Sequence, residues 1–166
     1  MASGDQSSLA KIGSVFLLSP KTTHVLVASA RYRRLGSVVV KVRGWKCRDV
    51  PSLMSEFGAA FQFFDGFGEN WHALQECLCY LDEWMPGDGY VVVVERAGEL
   101  LRDAPAELQW FVAVMNDVAR WWSTPIEDND RFNRPARAFH VVLEMDRDAG
   151  LDRFEEAGAV PALFSE

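Results

Sequence analysis

The stretch Gly-Tyr-Val-Val-Val-Val-Glu at 89–95 constrains the fold more than any other part of the chain. A strand wetted on one side alternates apolar and polar residues, and this run does not. Four consecutive valines call for burial on both faces, which is the situation of a central strand in a parallel sheet covered by helices. Two further β-branched runs read as strands: Ser-Val-Val-Val-Lys-Val-Arg at 37–43, and Arg-Ala-Phe-His-Val-Val-Leu-Glu-Met-Asp at 137–146.

The segments between these strands carry helical spacing. Leu53, Phe57, Ala60 and Phe61 predict a short helix over 51–61, and Pro51 suits its first turn. Phe-Asp-Gly-Phe-Gly at 64–68 breaks the chain. A second helix is expected over 69–84, ending before Pro86-Gly87. Residues 106–122 give the cleanest pattern, with Leu108, Phe111, Val112, Met115, Val118, Ala119 and Trp122 in one stripe. Trp121-Trp122 then reads as half core and half lid. Residues 96–105 read as a connector and 123–135 as a polar loop. A short helix is expected within 147–160.

Ahead of this series, Ser-Val-Phe-Leu-Leu-Ser-Pro-Lys-Thr-Thr-His-Val-Leu-Val-Ala-Ser-Ala at 14–30 reads as two short strands around a proline turn. The resulting expectation is an α/β fold: a small three-stranded parallel sheet flanked by helices, with an extra N-terminal strand pair. The expected division is a flexible N-terminus (1–12), a strand-pair extension (13–36), a main domain (37–146) and a C-terminal extension (147–166). The basic cluster Arg31-Tyr32-Arg33-Arg34 falls in the connector before the main domain and reads as a solvated turn.

Charge and cysteine usage narrow the function. A net charge of −7 opposes nucleic acid and anionic membranes as direct partners and favours a basic one. The three cysteines, Cys47, Cys77 and Cys79, contain no C-x-x-C spacing, so a reducing, cytoplasmic setting is expected. Cys77 and Cys79 lie about 200° apart on a helix and cannot share a metal there. Cys77 reads as core and Cys79 as incidental. No run is long and apolar enough to span a membrane, and the first residues lack the pattern of a secretory signal.

The helix expected over 69–84 has two unlike faces. On a wheel starting from Glu69, Leu74, Cys77, Leu78, Leu81 and Met85 fall between about 80° and 180°. His72, Glu76, Cys79 and Glu83 lie almost opposite, with Glu69 beside them. Burying several unpaired carboxylates is too costly, so this row faces water or a partner. The pattern alone allows an ordinary wet face or a docking surface for a basic cleft. It does not suggest catalysis. His72 and Glu76 at i, i+4 are two metal ligands short of a site, and His24 and His140 fall on other segments. No nucleophile signature and no G-x-x-x-x-G-K-[ST] loop occurs. No cofactor is expected.

At Phe67-Gly68-Glu69-Asn70-Trp71-His72-Ala73-Leu74-Gln75-Glu76-Cys77-Leu78 the chain resembles the barstar family, inhibitors of the ribonuclease barnase. That family carries aromatic-Gly-x-Asn, an apolar residue and Asp-Ala-Leu-Trp-Asp-Cys-Leu at the opening of its second helix. Val38–Leu53 is similar to the family's first strand, glycine turn and first helix, and the resemblance covers about 37–145. It implies a three-stranded parallel sheet packed by helices, no enzymatic activity, and 1:1 binding of a cognate toxin, a basic nuclease, through this helix and the loop before it. Carried over by position, Glu76 is the central residue. Asn70 and Trp71 are contacts at the loop–helix junction, and Tyr80 and Leu81 lie near the far rim. Phe67, Glu69, His72 and Gln75 complete the expected surface. An acid on the later helix is also implied, with Glu107 and Asp117 both on the right element. His72 stands where the family has Asp, Gln75 where it has Trp, and Glu76 is one methylene longer than the family Asp. These departures fall on the contact face, which also keeps open a regulatory or scaffolding module with a non-nuclease partner.

Overall fold

The computed structural model describes residues 15–18, 20–32, 36–127, 133–145 and 150–161. Its elements are β1 (Val15–Leu18), α1 (Pro20–Tyr32), β2 (Ser37–Arg43), α2 (Val50–Ala60), α3 (Trp71–Cys79), β3 (Gly89–Glu95), α4 (Leu108–Ser123), β4 (Ala138–Glu144), α5 (Leu151–Glu156) and β5 (Val160–Pro161). The strands form one sheet in the order β2-β3-β4-β1-β5, and every pairing is parallel. The expected three-stranded parallel sheet is β2-β3-β4, with Val40 beside Val92 and Val92 beside Val141. β3 is central and buried along Gly89–Val94, as its unbroken apolar run requires.

The expected N-terminal strand pair is half right. Its first member is β1, which extends the sheet on the free edge of β4. Its second member is the helix α1. Pro20 opens that helix, where its missing N–H costs nothing. Thr23 and Val27, four residues apart, turn inward; Thr23 is buried and Val27 packs on Val91, Val93 and Val142. α1 therefore covers one face of the sheet. Opposite it, Val40, Val42, Tyr90, Val92 and Val94 share the larger core with α2, α3 and α4. All seven residues of the predicted α4 stripe are buried in that core. The C-terminal segment closes onto the same body. Phe154 is buried, Arg153 donates to the carbonyls of Gly98 and Leu100 at 3.0 and 2.9 Å, and β5 pairs with β1. Residues 1–12 and, within the basic cluster at 31–36, residues 33–35 lie outside what is described.

The helix expected over 69–84 is shorter than its pattern. Glu69 has φ 47°, in the left-handed region, so it precedes the helix. Asn70 is the N-cap, accepting from the Ala73 N–H at 2.9 Å and donating to the Gly68 carbonyl at 2.9 Å. At the other end Tyr80 leaves helical geometry, and Leu81–Glu83 form a separate 3₁₀ turn. The carboxylate row is thus distributed over a loop, a helix and a turn.

Candidate partner-binding surface

α3 is held from behind by tryptophans of α4. The last carbonyls of a helix have no partner inside it, and α3 has no cation in its final turn. The Trp122 indole donates to the Leu78 carbonyl at 2.9 Å and the Trp121 indole to the Cys79 carbonyl at 3.0 Å. At the opposite end the Trp71 indole donates to a Glu107 carboxylate oxygen at 2.9 Å. The starts of α3 and α4 thus meet, as do their ends, and the two helices run side by side in the same direction. Trp122 is fully buried, whereas Trp121 is 37% exposed and its ring lies 5.9 Å from that of Tyr80.

In front of α3 lies an open groove of about 520 Å³. Its walls are the 64–68 loop on one side and α3 with the following 3₁₀ turn on the other. Phe64, Phe67, Tyr80 and Trp84 provide the aromatic surface, and Glu76 and Glu83 the charge. The aromatic wall is fixed by tilted and edge-on ring contacts. Phe63 contacts Phe67 at 4.8 Å and Trp84 at 6.1 Å between ring centroids, and the Trp84 indole donates to the Phe61 carbonyl at 2.9 Å. Gly68 lets the loop close on the helix: a Cβ there would lie 3.3 Å from that of Ala73.

The charge is uncompensated. Asp65, Glu69, Glu76 and Glu83 are exposed, and none has an ion pair among the described residues. Neighbouring Asp82, by contrast, is tied to Arg137 at 3.2 Å. Burial raises the pKa of the Cys79 thiol to about 12 and pushes that of Cys77 upward, so neither is a thiolate nucleophile at neutral pH. No cluster of three metal-ligating side chains occurs among the described residues, and no helix among them is long and apolar enough to cross a membrane.

The expected contact residues divide into three groups. Glu76, Phe67 and Tyr80 line the groove. Asn70, Glu69 and His72 are exposed beside it, Trp71 is half-buried against the start of α4, and Gln75 is half-buried. Leu81 is a correction: it is fully buried in the core and offers a partner nothing. Of the two acids considered on the later helix, Glu107 adjoins the surface through Trp71, while Asp117 pairs with Arg120 at 2.8 Å. Phe64 and Trp84 were not expected in the groove, nor Glu83 on the wall facing Phe64. Their only sequence signal is the density of aromatic residues around the 64–68 break.

Compared with known families, residues 37–144 match the family described as Barstar (barnase inhibitor). The chain belongs to the barstar family. This is a family of inhibitors rather than enzymes, whose members bind a cognate protein. The barstar region spans β2 to β4 and includes the groove, while β1, α1, α5 and β5 lie outside it. No curated protein matches the chain. Among solved structures, the ORC2 protein of Aeropyrum pernix in its ADP form is similar in fold, with a TM-score of 0.58 and 12% identity. That match covers 95% of this chain and 43% of that one, so this chain spans less than half the length of its structural relative. Two Drosophila ORC structures, bound to Cdc6 and to AT-rich or GC-rich DNA, match at TM-scores of 0.42 and 0.44. Their identities are 13% and 15%, covering 94% and 89% of this chain and 50% and 49% of theirs.

Proposed function

We propose that this barstar-family protein inhibits a cognate basic toxin of the nuclease class by inserting its acidic groove face into the toxin's active-site cleft. The observation that carries the reading is the set of four exposed carboxylates without ion pairs among the described residues, Asp65, Glu69, Glu76 and Glu83, gathered on and around one aromatic-walled groove. Such a surface repels itself in isolation and gains most when a cationic partner covers it. Glu76 is the central contact, with Asn70, Trp71, His72 and Gln75 around it. The complex is 1:1 and forms in the cytoplasm.

A regulatory module with a non-nuclease partner is the second reading, and the observation favouring it is the contact face itself. His72 and Gln75 replace charge and aromatic bulk where the family carries Asp and Trp. The ADP-bound form of the Aeropyrum pernix protein does not extend to this chain by sequence.

The test is capture with the tagged full chain from lysate of cells expressing the neighbouring reading frames, followed by nuclease assay of what elutes at high salt. The expected result is a basic nuclease, silent in the complex and active when released, whose affinity falls with salt and drops tenfold or more with Glu76→Ala. A captured protein that stays active while bound, or binding indifferent to Glu76→Ala, refutes the reading.

A further inference from the structure

We propose that the carboxyl end of β2 and β3 is a second interaction surface, shaped for an acidic segment of a partner protein, with Arg96 receiving one of its carboxylates. The proposal stands apart from the inhibitor reading, because none of its residues lies on α3 or lines the groove. Val39, Val91 and Val93 belong to the small core under α1. By the alternation of a strand, Lys41 and Glu95 continue that face, opposite the larger core that holds α3. Beyond them the 3₁₀ turn Gly44–Lys46 packs against the 3₁₀ turn Ala97–Glu99.

This end of an acidic chain carries cations to spare. Lys41, Arg43, Lys46, Arg48, Arg96 and Arg102 are all exposed. The acids among them are already engaged: Glu95 by Lys41, Glu56 by Arg43, Glu99 by Arg48 and Arg102, and Asp103 by Arg48, while Asp49 caps α2. Lys46 and Arg96 have no ion pair among the described residues. Arg96 is also held in place. Its guanidinium lies 5.3 Å from the centre of the Trp45 ring, and its backbone takes a left-handed φ of 50°, which a residue with a side chain adopts only against a steric cost. Gly44 lets the two turns close: a Cβ there would lie 2.5 Å from the Glu95 carbonyl oxygen and 2.9 Å from that of Arg96. A guanidinium lying over an indole keeps its fork of N–H donors free at the edge, and that fork matches a carboxylate with two parallel bonds. Nucleic acid is a poorer fit. Its affinity is built from many phosphate contacts, and here two unpaired cations stand on a chain of net charge −7.

The experiment titrates the isotope-labelled full chain at low salt with three probes, following backbone and indole resonances. They are an acetylated, amidated hexapeptide of alternating Asp and Glu, its Asn and Gln counterpart, and a thymidine hexanucleotide. The acidic peptide should give saturable shifts centred on Trp45, Lys46, Arg96 and the Trp45 indole, and they should weaken as salt rises. The Asn and Gln peptide should bind at least tenfold more weakly, and the oligonucleotide more weakly than the acidic peptide. Arg96→Lys keeps the charge and loses the fork, and should weaken binding at least threefold. Arg96→Gly removes the side chain while easing the left-handed backbone. It should lose at least tenfold in affinity with a urea midpoint no lower than the parent's, which separates lost binding from lost folding; if that midpoint falls, Arg96→Lys decides. No saturable shift, shifts centred on other residues, an equal response to the Asn and Gln peptide, tighter binding of the oligonucleotide, or a folded Arg96 variant that binds as the parent does overturns the proposal.

Discussion

Replacing Arg134 with methionine should cost about 3 kcal/mol of stability, although the residue sits in a polar loop and has no ion pair among the described residues. Its side chain is buried, with 7% exposure. One terminal nitrogen donates to the Trp122 carbonyl at 3.0 Å and weakly to that of Pro135 at 3.3 Å. The other donates to the Trp121 and Thr124 carbonyls at 3.0 and 3.2 Å. The guanidinium lies 4.5 Å from the centre of the Trp122 ring. Arg134 thus closes the C-terminal end of α4, where carbonyls and the helix dipole favour a cation. In the variant no carbonyl is wholly abandoned: Trp122 keeps the Arg137 N–H at 2.7 Å, Trp121 keeps the Thr124 N–H at 3.3 Å, and Thr124 is exposed to water. The loss is then about 1 kcal/mol for each of the three shorter bonds. A further ~1 kcal/mol of cation–π attraction goes with them. Relief of the arginine's own burial, which already lowers its pKa, returns about 1 kcal/mol. For a chain of this length a 3 kcal/mol loss lowers the melting temperature by about 6–12 °C. Urea unfolding followed by tryptophan fluorescence measures it. Lysine carries one nitrogen and should recover no more than half. A methionine variant within ~0.5 kcal/mol of the parent, or a lysine variant equal to it, would refute the reasoning.

Three further outcomes follow from the same geometry. Glu56, 8% exposed, accepts from the Arg43 backbone N–H and from its guanidinium at 3.1, 2.8 and 2.7 Å, and these bonds hold its pKa below the usual 4.5. The stability it contributes is present above pH 4.5 and is lost as pH falls through its folded value. Glu56→Gln should therefore cost about 1–2 kcal/mol at pH 7, reduced from a fully buried pair by the half-exposed arginine. The gap from the parent should narrow in urea titrations as the pH is taken progressively below 4.5. Glu69→Gly should stabilise the fold by about 0.5–1 kcal/mol, seen as a higher urea midpoint, because relief of the left-handed φ exceeds the added entropy cost of glycine. Trp71→Phe should lose about 1 kcal/mol by removing the donor to Glu107 while keeping the ring, readable in the same unfolding assay.

What could be read from the sequence was what short-range periodicity encodes. The four valines of β3 and the seven-residue stripe of α4 required the burial they have. The helical wheel placed Leu81 inside, while its position in the family motif placed it at the rim, and the fold sides with the wheel. α1 was hidden because its threonines and valines favour strands locally. It is a helix because it crosses back over the sheet and buries Thr23 and Val27 there. The end of α3 was hidden for a similar reason: its final carbonyls are satisfied by Trp121 and Trp122, more than forty residues later in the chain. The groove was half legible. Glu76, Phe67 and Tyr80 came from the motif, but Trp84 reaches it by docking on Phe61 and Phe63, contacts that no local pattern announces.

The separation of support from contact explains how one helix can keep its place while its partner changes. α3 is fixed by Leu74, Cys77 and Leu78 in the core, by the Asn70 cap, and by indole donors from α4, all acting on its inner side or its ends. The side chains of His72 and Glu76 carry none of that load: both are exposed, and neither side chain makes a hydrogen bond or ion pair within the described residues. Substitutions there cost the fold within about ±0.5 kcal/mol, whereas at an interface the same change of charge can alter affinity by several kilocalories. A Glu76 variant that bound its partner poorly yet unfolded at the parent's urea midpoint would display this division directly. One that lost stability in proportion would show that the acidic face and the core are coupled after all.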